Sequence, residues 1–328
     1  MKAVICTGYG SPDVLQLHEV EKPTPKAGEV LVKIYATAVT ASDCIIRGFK
    51  LPWWHPMGFM MGLVIGFSKP RNPILGLVLA GEVEAVGNAV TAFRQGDQVY
   101  GFTGTRFGCY AQYLCLPEKH QTALLPTIPG VVALKPSNMT YEEAAAIPYG
   151  CILALHALKK GRIQPGQQVL IYGASGAIGT AAVQIAKYHF GAKVTGVCGT
   201  ANRELVKSLG ADEVLDYTQQ DSPNDGVLYD FVLDAVGKKK SSKLKLACQK
   251  ALTPDGKYVS IDEGSPRPQP EDLVLLKGLI EAGHFKAIID RCYPLESISE
   301  AHRYVDLGHK KGNVVITVTH DDTTPIIG

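Results

Sequence analysis

Gln168-Val-Leu-Ile-Tyr-Gly-Ala-Ser-Gly-Ala-Ile-Gly179 is the stretch that decides how this chain folds. Val169 to Tyr172 is an apolar run of strand length, and Gly173-Ala174-Ser175-Gly176 is a sharp turn. Ala177 to His189 continues with apolar residues at Ile178, Ala182, Ile185 and Ala186, the spacing of one helix face. A glycine-rich turn between a parallel strand and a helix gathers backbone N–H groups and the positive end of a helix dipole at one point, which suits a pyrophosphate. Side chains at the glycines would block backbone from phosphate and helix from strand. The residues assigned to a dinucleotide are therefore Gly173, Ala174, Ser175, Gly176, Ala177, Ile178 and Gly179.

Such a turn is a weak signal alone, and its surroundings supply the rest. A second strand is predicted at Lys193 to Cys198, and a helix from Arg203 to Leu209, stopped by Gly210. Further strands are predicted at Glu213 to Asp216, Phe231 to Val236 and Lys257 to Ile261. Strands alternating with helices specify an α/β fold with a doubly wound parallel sheet. The turn then falls at the carboxyl end of a central strand, where such sheets place ligands. A glycine turn used only for packing leaves that position unexplained.

The chain has 328 residues, enough for about two domains. Hydrophobic residues make up 46% and charged residues 20%, so large cores are expected and wholesale disorder is excluded. A net charge of +2 gives no reason to expect a polyanionic partner. None of the eight cysteines forms a C-x-x-C pair, so they read as buried thiols in a reducing compartment. Met1-Lys-Ala-Val-Ile reads as a strand and not as a signal peptide, and a cytoplasmic location is expected. Leu51 to Ser68 carries no formal charge, but its length and Pro52, Pro56, Gly58, Gly62 and Gly66 argue against a membrane span. A lid, a pocket wall or an oligomer contact suits it better.

Residues 1 to about 125 are strand-rich: Val30 to Ala36 alternates, Gly76 to Gly87 and Gly108 to Leu116 read as strands, and Gly96 to Gly101 is a turn leading into another strand. The order KAVICTGYGSPDVLQL, GEVLVKI, SDCIIRG, GLVLAGEVEAVG, GDQVYG and GCYAQY, then YGASGAIGTAAVQIAK, LGADEVLDY and EAHRYVDLGHKKGNVVI, resembles the medium-chain dehydrogenase/reductase superfamily over nearly the whole chain. Its zinc-free quinone oxidoreductase-like branch is the most similar. The resemblance implies a β-rich GroES-like catalytic domain from residues 1–125 and 266–328, with a Rossmann domain inserted at 126–265. Tyr141 to Lys160 then fits a linking helix, with Glu142 and Glu143 in its first turn and Pro148 and Gly150 dividing or kinking it. Relatives often carry strands after the last Rossmann strand that extend the sheet across a dimer. Here Asp262 to Pro270 is a short polar link, and a homodimer stays open.

Zinc-dependent relatives place a Cys before the landmark Asp and a Gly-His-Glu after the next strand. This chain has Thr40-Ala41-Ser42-Asp43 and Ala80-Gly81-Glu82, with Cys44 and His55, and His18 and His120, as stray pairs. A catalytic zinc needs three protein ligands with an open position, so no metal is expected. An NAD site puts Asp or Glu at the end of the second strand. That strand instead runs into Gly199-Thr200-Ala201-Asn202-Arg203, so NADPH is expected. Thr200 and Asn202 are placed to hydrogen-bond a 2′-phosphate, and Arg203 or Lys207 to supply charge. The resemblance adds Tyr217 and Lys187, and Val236 at the end of the fourth strand is counted with the cofactor residues. The bland alternative for Arg203 is a solvated cation at a helix start.

Without zinc, alcohol oxidation loses its Lewis acid, while hydride addition to a polarised acceptor stays feasible. The expected reaction is NADPH-dependent transfer to a quinone or an α,β-unsaturated carbonyl. A zinc-independent alcohol dehydrogenase or carbonyl reductase is the alternative. Candidate polar groups are Thr40 (where many relatives have Asn), Asp43, Tyr149 and Tyr100, against structural roles for each, helix capping in the case of Asp43. Trp53, Trp54, Phe59, Met60 and Met61 are expected to line or cover the acceptor site. A different class of function, a non-catalytic NADPH-binding protein with nucleic-acid contacts, would use Lys238, Lys239, Lys240, Lys243 and Lys245. No aromatic residue interleaves with these lysines, so a solvated helix face is the favoured reading and nucleic acid the disfavoured partner.

Overall fold

The computed structural model describes residues 1–49, 56–118, 128–224, 226–237, 242–264 and 266–320. The chain divides into two compact units. One holds Met1–Leu134, Arg291–Gly308 and the chain from Val314 on; the other holds Lys135–Asp290 and His309–Asn313. The first unit begins with β1 (Lys2–Cys6), β2 (Leu15–Glu19), β3 (Glu29–Val39), α1 (Ala41–Gly48), α2 (Pro56–Ile65), β4 (Val78–Val86), β5 (Gln98–Phe102), β6 (Tyr113–Pro117) and β7 (Val131–Leu134). The second contains α3 (Tyr141–Ala146), α4 (Pro148–Gly161), β8 (Gln168–Tyr172), α5 (Ala177–Tyr188), β9 (Lys193–Cys198), α6 (Arg203–Ser208), β10 (Glu213–Asp216), β11 (Tyr229–Asp234), α7 (Lys243–Lys250), β12 (Leu252–Ser260) and α8 (Pro270–Glu281). β13 (Ile289–Pro294), α9 (Ile298–Asp306) and β14 (Asn313–Thr317) follow.

β3 is the hub of the first unit. The sheet runs β13-β14-β3-β4-β5-β7, and β6 also pairs with β3. Such a strand is covered on both faces, so buried Val30, Leu31, Val32, Ile34 and Ala36 replace strict alternation. Its register against β4 slips between Leu31 and Val32 and between Ile34 and Ala36, bulges that bend the ribbon. A Cβ on Gly81 would lie 2.1 Å from the Lys33 carbonyl oxygen, so β4 needs glycine there.

The second unit carries a wholly parallel sheet in the order β10-β9-β8-β11-β12. β8 is its centre, with Val169, Leu170 and Ile171 fully buried. The chain order reverses between β8 and β11, which opens a crevice at their carboxyl ends. Thr140 and Glu143 form a capping box at the start of α3, and Pro148, lacking an N–H, starts α4 afresh after Ile147. α8 also packs with this unit. It buries Leu273, Leu276 and Ile280, each worth about 1.5–3 kcal/mol, and its Asp272 pairs with Lys159 of α4. The stretch from Pro270 to Asp290, expected with the β-rich half, therefore groups with the parallel sheet.

Three other expectations change. β12 starts at Leu252, before the predicted Lys257, although its early part stays largely unburied. β11 ends at Asp234, because the amides of Val236 and Gly237 turn back onto the Asp234 carboxylate. Lys245 is not on a solvated face: only 4% of it is exposed and it pairs with Asp234. Lys243 is exposed and meets Asp221, while Lys238, Lys239 and Lys240 lie outside the described residues. Within the uncharged 51–68 stretch, α2 is a helix with Phe59, Met60 and Leu63 exposed, while Trp53 and Trp54 lie outside the described residues. Among the described residues no helix is long and apolar enough to cross a membrane.

Candidate active site

The three glycines of the turn after β8 do three different jobs. Gly173 has φ +84°, and a Cβ there would lie 2.4 Å from Val236 Cγ2. Its amide and that of Ala174 both donate to the Val197 carbonyl of β9, which fixes the turn to the neighbouring strand. Gly179 lets α5 seat against the turn, since a Cβ would fall 2.0 Å from the Gly173 oxygen. Gly176 differs. It is the N-cap of α5 with φ −80° and ψ 176°, and a Cβ would meet nothing closer than the Gly173 oxygen at 3.6 Å. Open space therefore faces the helix start, where the amides of Ala177, Ile178 and Gly179 have no acceptor within the helix. A phosphate fits there by charge. Gly150 of α4 completes the packing, because a Cβ would lie 2.5 Å from the Ala177 oxygen.

At the end of β9 a short 3-10 turn, Thr200–Asn202, leads into α6. Thr200 Oγ1 donates to Asp216 Oδ2 at 2.6 Å and lies 3.0 Å from Thr218 Oγ1. Burial would raise the Asp216 carboxyl, but the Thr200 and Thr218 donors and the charge of Arg203 hold it below the usual range. Asn202 Nδ2 reaches Ser175 Oγ at 3.4 Å, so this corner is tied to the glycine turn. Tyr217 is half exposed, and its hydroxyl lies beside Gly199. Lys187 stands in the last turn of α5, paired with Asp212 at 2.6 Å. Asp216 was not singled out in the sequence because it ends β10, not β9.

A second missed contributor comes from far along the chain. The Gly312 amide donates to the Ser175 carbonyl at 2.8 Å, and Gly312 bridges Gly176 in a parallel sense. Lys310 holds the Gly312 carbonyl through its ammonium. In the sequence the run Gly308-His309-Lys310-Lys311-Gly312-Asn313 stands only within the closing landmark EAHRYVDLGHKKGNVVI, with no site role attached.

In the first unit, Thr40 and Asp43 come together as the capping box of α1. The Asp43 carboxylate accepts from the Thr40 amide at 2.9 Å and from its hydroxyl at 2.5 Å, and the Thr40 oxygen accepts from the Asp43 amide. Burial raises the Asp43 carboxyl to about 6, against the opposing pull of the Thr40 donors. Nearby, His302 Nδ1 lies 3.4 Å from Cys44 Sγ, and Nε2 lies 3.1 Å from the Tyr110 hydroxyl. Burial and then the charge of Arg47 bring the His302 pKa down to about 3, so the ring is neutral. Arg47 itself pairs with Asp306 at 2.7 Å. Tyr149 belongs to the second unit, in the first turn of α4, and Tyr100 is fully buried in β5.

The alcohol dehydrogenase GroES-like domain family matches residues 26–127, and the zinc-binding dehydrogenase family matches 177–278 and again 264–316. Over 96% of its length the chain is 33% identical to the 2-methylene-furan-3-one reductase of Solanum lycopersicum, covering 79% of that protein. It belongs to the medium-chain dehydrogenase/reductase superfamily. The NADPH-dependent alkenal/one oxidoreductase of Arabidopsis thaliana is 30% identical over 96% of the chain and 79% of its own length. The solved quinone oxidoreductase from Coxiella burnetii superposes with a TM-score of 0.80 at 25% identity, over 97% of this chain and 99% of that one.

Members of this superfamily are oxidoreductases, and the cofactor implied is a nicotinamide dinucleotide. The residues fit it: the open space at Gly176 and the first-turn amides of α5 match a pyrophosphate. The zinc in the name of the matched family finds no comparable fit. Where zinc-dependent relatives carry the Cys and the His of their landmarks stand Ser42 and Gly81, and the Cys44 thiol beside Asp43 is pushed up by burial and stays protonated. Among the described residues no three His, Cys, Asp or Glu side chains gather in a way that would hold a metal.

Proposed function

We propose that this chain is an NADPH-dependent reductase that adds hydride to a quinone or an α,β-unsaturated carbonyl without zinc. The observation that carries it is a fitted dinucleotide turn whose neighbouring strand, β9, is followed by Thr200, Asn202 and Arg203 with no carboxylate among them. When bound, the nicotinamide supplies the hydride. Gly176 and the first-turn amides of α5 hold the pyrophosphate. Arg203, with Asn202 and Tyr217, takes the 2′-phosphate, while the Thr200 hydroxyl gives its proton to Asp216 and ties β9's end to β10's. Asp216, the acid of this corner, has both carboxylate oxygens engaged by Thr200 and Thr218, so it supports Thr200 and is not directed at a ribose.

The names of the relatives support the acceptor class, since furanone, alkenal and quinone acceptors share a conjugated carbonyl. Such acceptors are polarised already, so the protein has to position them and donate to one oxygen. Thr40 directs its proton at Asp43, and Tyr149, in the first turn of α4, is carried forward as the candidate donor. The test is loss of reduced-nicotinamide absorbance with NADPH or NADH against quinones, enones and simple aldehydes, with and without a chelator. Chelator-resistant turnover on quinones or enones, preferring NADPH, is expected. Turnover only on simple carbonyls, abolished by chelator, would overturn the proposal.

A further inference from the structure

Lys245 and Asp234 form a buried ion pair with side chains 5% and 0% exposed, and the cofactor residues named above do not include it. A buried pair costs desolvation, and an apolar pair would fill the same volume. The reason for charge here lies in what the pair holds. Asp234 Oδ1 accepts the amides of Val236 and Gly237, both at 3.1 Å. Lys245 Nζ lies 2.7 Å from Asp234 Oδ2 and donates to the Gly237 carbonyl at 2.7 Å. Both backbone groups of Gly237 are thus held by one ion pair. Gly237 has φ +86°, and a Cβ there would lie 2.7 Å from the Asp262 carboxylate. Tyr258 also donates to Asp234 at 2.9 Å, and Ser242, the N-cap of α7, bonds Tyr172 at 2.8 Å. The carboxyl ends of β8, β11 and β12 are therefore braced against the start of α7.

The position of this brace gives it a role. A dinucleotide straddles the point where strand order reverses, between β8 and β11. Its adenosine ribose lies over the end of β9, so its nicotinamide half lies over the β11 side. The segment held there is Val236–Gly237, and Val236 Cγ2 occupies the space that forces glycine at 173. We propose that the Lys245–Asp234 pair is the positioning device for the nicotinamide half of the cofactor, acting through the backbone of Val236 and Gly237. This rests on the reading that the turn at Gly173–Gly179 holds the dinucleotide.

The test compares NADPH with 2′,5′-ADP, which keeps only the adenosine half. Lys245→Met alone leaves a buried unpaired carboxylate and is prone to unfold, so the decisive variant is the charge-balanced Asp234→Asn/Lys245→Met. Its amide oxygen still accepts from Val236 and Gly237, but nothing holds the Gly237 carbonyl. With a melting point near that of the unmodified protein, it is expected to bind 2′,5′-ADP within about twofold, to bind NADPH about tenfold or more weakly, and to lose kcat. Lys245→Arg should recover part of the NADPH affinity. NADPH affinity within about twofold, or equal weakening of both ligands, would overturn the proposal. Gly176→Val separates the underlying reading: it should lose both ligands, and if it keeps both, the turn assignment itself falls.

Discussion

Gly176→Ser should make the protein more stable and a worse binder of its cofactor. Gly176 has the extended conformation that any residue adopts, and its Cβ direction is open to 3.6 Å. Replacing glycine at an unstrained position gains about 0.4–1 kcal/mol from the unfolded state. Serine at an N-cap adds a few tenths more by accepting from an amide of the first helical turn. Together these give about 1 kcal/mol, or about 2–4 °C in melting temperature without cofactor. The new hydroxyl competes with phosphate for the same amides. A hydrogen bond to a charged group is worth about 1.5–3 kcal/mol, so NADPH affinity should fall about 10- to 150-fold. Thermal melting of the cofactor-free protein and fluorescence titration with NADPH measure the two effects. Gly179→Ser is the control, since its Cβ would sit 2.0 Å from a backbone oxygen and should destabilise by about 1–3 kcal/mol. Unchanged NADPH affinity in Gly176→Ser, or a lower melting point, would refute the reasoning.

Arg203→Ala should weaken NADPH about tenfold or more while NADH changes little; equal loss of both would remove the 2′-phosphate assignment. Asp43, raised to about 6 in the fold, binds a proton there that the unfolded chain releases from about 4, so it makes stability fall as pH rises between those values. His302, lowered to about 3, acts oppositely over the same window, and the two slopes offset. Asp43→Asn should therefore gain about 1.4 kcal/mol per pH unit relative to the unmodified protein between about pH 4 and 6, read by denaturant melts; parallel curves would contradict it. Phe59→Ser with Met60→Ser removes apolar surface that is half exposed. If that surface meets the acceptor, about 1 kcal/mol of contact is lost, raising KM for bulky quinones about fivefold at constant NADPH affinity, and unchanged kinetics would assign α2 another role.

The parallel sheet was legible because its signals are local. The apolar run Val169 to Tyr172, the glycine spacing and the acidic first turn at Glu142 and Glu143 each act within one turn or strand. The capping role of Asp43 was legible for the same reason. Lys245 was not: in a lysine-rich stretch its burial depends on Asp234, a residue of another element. The Thr200–Asp216 bond joins two strand ends, and the 309–313 segment reaches the turn across more than a third of the chain, so neither leaves a periodic trace. The grouping of α8 escaped for a similar reason, since it depends on Lys159 meeting Asp272 and on the burial of three apolar residues.

The Gly312–Ser175 hydrogen bond has a consequence for how the protein is made. A ribosome delivers every strand of the parallel sheet before it delivers Gly312, and the Ser175 carbonyl is solvated until then. A nascent chain halted after α9 would hold a finished sheet with an unfinished phosphate turn. Completion of the turn then waits for Gly312, and a chain cut between α9 and Gly312 keeps the sheet but loses this hydrogen bond to Ser175.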